Sequence, residues 1–167
     1  GNEMIIKSIN VNNFKTFEAG GSNMKPEILA DVKNRIADCY YVATNYHSAI
    51  DYYDKVIAYG NPDADYSMFQ KGFSLGLIND NKGKVDVLTA LMQKYPASPL
   101  VPNAIYERGR AYLVLEDYQK GEADFNNILS NWTGSSFVPR SMVQLGLLYY
   151  NLGQNEKAIA QYKKVIE

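Results

Sequence analysis

Apolar side chains recur along this chain three and four residues apart, the period of a helix that buries one face. Ile28, Val32, Ile36, Ala37, Tyr40 and Tyr41 mark one such face and predict a helix from Pro26 to about Val42. Proline suits the first turn of a helix, because the N–H it lacks would have no partner there. Tyr46, Ala49, Ile50, Tyr53, Val56 and Ile57 predict a second helix over about 46–58, and Asn61, Pro62 and Asp63 then turn the chain. Phe69, Gly72, Phe73 and Leu75 belong to a third over 64–78, and Val85, Leu88, Leu91 and Met92 to a fourth over 81–95. Two further pairs are predicted over 101–115 and 118–131, and over 137–152 and 155–167. Residues 4–18 show a looser helical spacing through Ile5, Ile6, Ile9, Phe14 and Phe17, stopped by Gly20 and Gly21.

The joint between the second and third pairs is the most informative stretch. Pro96, Pro99 and Pro102 cannot sit inside a helix, since each lacks an N–H and clashes with the preceding turn. Ser98 is a candidate cap for the helix that follows, as Ser135 and Ser136 are for the seventh, which carries Pro139 in its first turn. Gly109 and Tyr112 then share a helix face, where the glycine admits a close neighbour.

That small-then-bulky pair repeats. The small residues are Ala37, Gly72, Gly109 and Gly146, spaced 35, 37 and 37 residues apart, and each is followed three later by Tyr40, Leu75, Tyr112 or Tyr149. Twelve residues after each anchor stand Ala49, Lys84, Gly121 and Ala158. Four further on come Tyr53, Leu88, Phe125 and Tyr162, then Val56, Leu91, Ile128 and Val165. A fixed period of this length indicates a solenoid of stacked helix pairs. Small residues let paired helices approach, while aromatics fill the space between pairs.

The spacing Leu145, Gly146, Tyr149, Ala158, Tyr162 resembles the tetratricopeptide repeat, with Gly153 at the inter-helix corner. The resemblance implies an all-α fold, a right-handed α-α superhelix of antiparallel helix pairs with a concave face. It divides the chain into the second helix of a leading repeat at 2–18 and repeats at 27–60, 64–96, 101–132 and 137–167. The second repeat departs most, with Lys84 for a small residue and Asn79 for the corner glycine. The spacer from Tyr95 to Ala104 is similar to repeats of bacterial cell-envelope proteins, the TolA-binding periplasmic protein and the outer-membrane assembly lipoprotein. That likeness implies a periplasmic or envelope setting. The helical pattern is still running at Val165 and Ile166, which reads as a fragment of a longer protein whose last helix offers a self-association face.

Composition changes little in this picture. The 167 residues are 46% hydrophobic and 21% charged with net charge -1, so no basic excess points to nucleic acid or an anionic surface. No apolar run approaches the roughly 18 residues of a membrane span. The single Cys39 falls in an apolar helical stretch and is expected to be buried and inert. His47, the single histidine, stands at a helix start with no cysteine at ligand spacing, so neither a metal nor another cofactor is expected. Asp80 to Gly83 fits neither a calcium loop, because Ile78 and Lys82 fall where oxygen ligands belong, nor a phosphate loop, because Val85 replaces the hydroxyl residue. Glu107 and Glu122 are the carboxylates most open to pairing, but solvated helix faces produce such pairs freely. Asn131 begins a glycosylation triplet, and Trp132 is expected to close its helix against the core. No nucleophile motif occurs, and the chain is not expected to be an enzyme.

What remains is binding. In the resembled fold the concave face is lined by the first helix of each pair, at one stripe of positions around each anchor. Here the stripe holds Asp31, Asn34, Asp38 and Tyr41; Tyr66, Phe69, Phe73 and Gly76; Asn103, Tyr106, Arg110 and Leu113; Arg140, Val143, Leu147 and Tyr150. Aromatics and arginines are the usual anchors of binding surfaces. The expectation is a peptide or protein partner held on aromatics, with Arg110 and Arg140 contacting anions. The other readings are a structural spacer whose aromatics only pack, and a small-molecule site or enzyme built between helices.

Overall fold

Among the described residues, helices appear wherever the apolar period predicts them. In a computed structural model of the chain, residues 25–60 and 62–167 are described. The expected helix over 2–18, its stop at Gly20 and Gly21, and Asn61 lie outside them. Among the described residues are eight α-helices and no strand. They are α1 (Pro26–Val42), α2 (Tyr46–Tyr59), α3 (Ala64–Leu77), α4 (Asn81–Lys94), α5 (Val101–Val114), α6 (Tyr118–Asn131), α7 (Phe137–Asn151) and α8 (Asn155–Ile166). The all-α expectation holds.

Four sharp corners repeat one geometry. Thr44, Asn79, Glu116 and Gly153 all adopt positive φ, between 59° and 74°. Each stands seven residues after its small anchor. At each corner the next N–H reaches back to a carbonyl five residues earlier: Asn45 to Tyr40, Asp80 to Leu75, Asp117 to Tyr112 and Gln154 to Tyr149, at 2.8 to 2.9 Å. This left-handed cap satisfies carbonyls that the ending helix would leave open. Only Gly153 is free of the Cβ penalty of that conformation. Asn45 and Asp117 then cap the following helices, accepting at 3.4 Å from the backbone N–H groups of Ser48 and Lys120. Ser98 and Ser135 act differently from expectation: each lies before the helix start and accepts from the N–H two residues on, Leu100 and Phe137, at 3.1 Å. They shape the entry turn, and the residues at the cap positions, Leu100 and Ser136, offer no side-chain bond.

The described residues divide into two compact units, one ending at Asp80 and the other Asn81–Glu167. In the first, α1 packs on α2 and α2 on α3. Its apolar core includes Ala37, Ala49, Tyr53, Val56 and Phe69. In the second, each helix from α4 to α8 packs on the next, and α5 also touches α7. Here Ile105, Tyr106, Phe125, Ile128, Leu145, Leu148 and Tyr149 form one apolar cluster, with Trp132 packed against it as expected. Glycine admits the closest approaches, Gly109 to Phe125 and Gly146 to Tyr162. Lys84, at a place other repeats give to a small residue, is buried and paired with buried Glu107, Nζ to Oε1 at 2.8 Å.

Candidate functional site: the inner faces of the first helices

In the first unit the expected binding stripe is interior. Asn34, Asp38, Tyr66, Phe69 and Phe73 are all buried, and Tyr41 is half-buried. The polar members are held by one another. Tyr53 and Tyr66 both donate to Asp38 Oδ1, at 2.5 and 2.8 Å, and Arg35 Nη2 lies 3.1 Å from Asp38 Oδ2. Ser67 donates to Asn34 Oδ1 at 2.7 Å. The guanidinium of Arg35 also lies over the Tyr66 ring. Burial pushes the Asp38 carboxyl above the ordinary aspartate range; the tyrosine hydrogen bonds and Arg35 pull it back, and Asp31 adds to the rise. The rings stack among themselves, Tyr41 on Phe73 and Phe69 on Phe73, with centroids 6.2 and 6.4 Å apart. This face is a sealed polar and aromatic core in which Asp38 Oδ1 takes both tyrosine hydroxyls, while Asp38 Oδ2 and Asn34 Nδ2 are buried without a hydrogen-bond partner.

In the second unit the stripe runs from closed to open. Tyr106 is buried, its ring against Phe125 and Phe137 at 5.8 and 5.0 Å. Asn103 and Arg110 are half-buried, and Arg110 lies 3.2 Å from Glu107 Oε2, so it balances the buried ion pair of Lys84. Burial, the larger cause, and the Glu122 carboxylate raise the Tyr149 hydroxyl's pKa. On α7 the stripe emerges. Val143, Leu147 and Tyr150 are 42%, 42% and 65% exposed, and Arg140 is exposed beside them with its guanidinium over the Phe137 ring. Spacing of four and three places these three apolar side chains on one face of the helix.

Among the described residues of the first unit, hollows open beside α1. One, of about 470 Å³, is lined by Val32, Arg35, Ile36, Cys39, Tyr40 and Ala43, all on α1. Another, of about 80 Å³, lies between α1 and α2 beside Lys33, Lys55 and Tyr59. Cys39 is exposed, not buried as expected. Its place, two residues past Ala37, turns it away from α2, on a second apolar face of α1 that a single helical period does not separate from the first. His47 is exposed at its helix start. Among the described residues no group of three or more His, Cys, Asp or Glu could hold a metal ion. Among them, no helix is long and apolar enough to cross a membrane.

The tetratricopeptide repeat family model matches residues 139–167. No curated protein matches the sequence. Several solved structures share the fold. MamA from Desulfovibrio magneticus RS-1 is 21% identical with a TM-score of 0.70, over 82% of this chain and 73% of that one. BtubC from P. vanneervenii is 13% identical with a TM-score of 0.77, over 87% of this chain and 65% of that one. YrrB, described as a tetratricopeptide repeat protein with an unusual peptide-binding site, is 17% identical with a TM-score of 0.67, over 82% and 67%. At these identities the likeness is one of fold. Corner geometry, glycine contacts and the family match agree, so residues 139–167 are a tetratricopeptide repeat and the chain has the all-helical solenoid fold of tetratricopeptide-repeat proteins.

Proposed function

We propose that this chain is a non-catalytic protein-interaction module that takes an extended peptide along the open face of α7. The observation that carries the reading is the exposed row Val143, Leu147 and Tyr150 beside Arg140. Isolated apolar side chains on a surface mean little, but a row on one helix face in a fold used for binding favours a partner. Leu147 and Tyr150 supply the apolar contact. Arg140 faces a nearby acidic group, acting on orientation and encounter. The buried rings of Tyr66, Phe69, Phe73 and Tyr106 hold the scaffold rigid rather than touch the peptide.

The test selects binding peptides from a displayed random library against the whole chain and titrates them by calorimetry. Leu147→Asp and Tyr150→Ala are expected to weaken binding by more than about 2 kcal/mol, roughly 30-fold, as hot spots do. Arg140→Ala changes association rate and salt dependence more than affinity. Unchanged binding by folded Leu147 and Tyr150 variants overturns the assignment.

A second reading, self-association through residues 155–167, is favoured by the exposure of Tyr162, Val165 and Ile166 on α8. The envelope setting also stands as a proposal, resting on the spacer from Tyr95 to Ala104 and checked by fractionating cells that express the protein.

A further inference from the structure

The contact of α4 with α5 is built differently from the other two that join one repeat to the next. Tyr53 of α2 meets Tyr66 of α3 edge to face, with centroids 6.4 Å apart. Phe125 and Ile128 of α6 cluster with Leu145, Leu148 and Tyr149 of α7. Rings packed in this way fit their neighbours in one position. Helix α4 holds no aromatic residue. Its buried apolar residues are Leu88 and Leu91, and α5 packs on it with Val101, Ala104 and Ile105 among its own. Aliphatic ridges recur every turn, so they accept a neighbour slid by one turn almost as well as one in place.

Two polar ties cross this aliphatic contact. Lys84 Nζ lies 2.8 Å from Glu107 Oε1, with the two side chains 8% and 1% exposed. Arg108, next along α5, donates from Nη1 to Thr89 Oγ1 of α4 at 3.1 Å. Its Nε and Nη2 donate to the two carboxylate oxygens of Asp124 on α6, at 2.9 and 2.6 Å. The ion pair has no counterpart in the other repeats. Where Lys84 stands they hold Ala49, Gly121 and Ala158, and where Glu107 stands they hold Arg35, Gln70 and Gln144. A slide of α5 by one turn either way brings Asn103 or Ala111 to the place of Glu107, and the buried ammonium loses its carboxylate. Taking both charges out of water is costly, and an apolar pair of similar volume often serves stability as well or better. What a buried polar pair offers in return is the choice of one register.

We propose that Lys84 and Glu107 form a register lock, holding α5 at one of the axial positions that its aliphatic contacts with α4 would accept. The lock bears on the inner face, because α5 carries Asn103, Tyr106 and Arg110 there and its register sets where all three come to lie. The pair selects the position, and the apolar contacts supply the stability. Between α5 and α6 the same choice is made by Gly109, since a Cβ at that place would meet the Phe125 ring.

The test reads backbone amide resonances and hydrogen exchange of the whole chain. Lys84→Met with Glu107→Leu removes both charges and keeps most of the volume. That variant is expected to fold, with a urea midpoint near that of the wild type. It is also expected to show a second set of amide resonances for α4 and α5, about a tenth or more as intense as the first, with faster exchange in both helices. Resonances of α8 are expected to stay single. Lys84→Arg keeps the pair and is expected to keep one set throughout. A single set at wild-type exchange rates in the Met and Leu variant overturns the proposal, because apolar packing then fixes the register unaided. Failure of that variant to fold overturns it as well, because the pair would then supply stability and not selection.

Discussion

The ring of Phe125 lies so close over Gly109 that a Cβ placed there would meet its Cζ at 2.8 Å. One repeat later Tyr162 lies over Gly146 in the same way, at 2.5 Å to Cε1. The two sites differ in what can yield. Phe125 is fully buried, whereas Tyr162 is partly open to solvent.

Gly109→Ala is therefore expected to destabilise by about 1–2 kcal/mol: overpacking costs about 1–3 kcal/mol, and the better helix former returns about 0.5–1 kcal/mol. Gly146→Ala is expected to be near neutral, because the Tyr162 ring can swing outward. Gly109→Leu falls at the upper end of the overpacking range. Urea midpoints of the three variants check the order, and equal midpoints for the two alanine variants would refute the difference in yield.

Asp38 and Tyr53 make stability depend on pH from both sides. Burial raises the Asp38 carboxyl, so the folded chain holds that proton better than the unfolded one. Its contribution is full below about pH 4, the unfolded value, and is lost as pH rises through the folded value. Burial and the bond to Asp38 likewise push the Tyr53 hydroxyl above the usual tyrosine range. That contribution is full below about pH 10 and is lost at higher pH. Asp38→Asn is expected to flatten the acid limb of a stability profile, and Tyr53→Phe the alkaline limb. Tyr53→Phe also removes a donor to a charged group, at a cost of about 1.5–3 kcal/mol near neutrality. Unfolding free energies between pH 3 and 11 read both effects.

The buried pair of Lys84 and Glu107 is expected to show strong coupling. Lys84→Met removes the ammonium group that lies 2.8 Å from the buried Glu107 carboxylate, and breaking a buried pair costs about 3–5 kcal/mol. The double change Lys84→Met with Glu107→Leu removes both charges from the interior and is expected to recover most of that loss. A double-mutant cycle by thermal and urea unfolding measures the coupling; additive single effects would show that the pair acts independently.

The helices were legible because their information is local. Apolar residues three and four apart, proline in first turns and a small residue at the helix contact are written along the chain, and each helix from Pro26 on begins and ends within a residue of the expected place. The left-handed corners were legible only at Gly153. Thr44, Asn79 and Glu116 take the same conformation against their preference, because helix packing on either side dictates the turn. The glycine-to-aromatic contacts followed from period alone, since the anchor and the ring sixteen residues later meet wherever two helices pair at this length.

What the sequence by itself determined is the periodic framework: eight helices from Pro26 to Ile166, their joints and their small contact residues. Which side chains of the inner stripe are sealed and which open was decided by tertiary structure alone. Tyr66, Phe69 and Tyr106 share a stripe with Leu147 and Tyr150, and nothing in their spacing separates them. The difference arises because burial depends on what comes from other helices. Phe137 and Phe125 close over Tyr106, while Tyr150 meets solvent. Cys39 shows the same limit: its apolar neighbours placed it on a helix, but only packing decided that its face of α1 points away from α2.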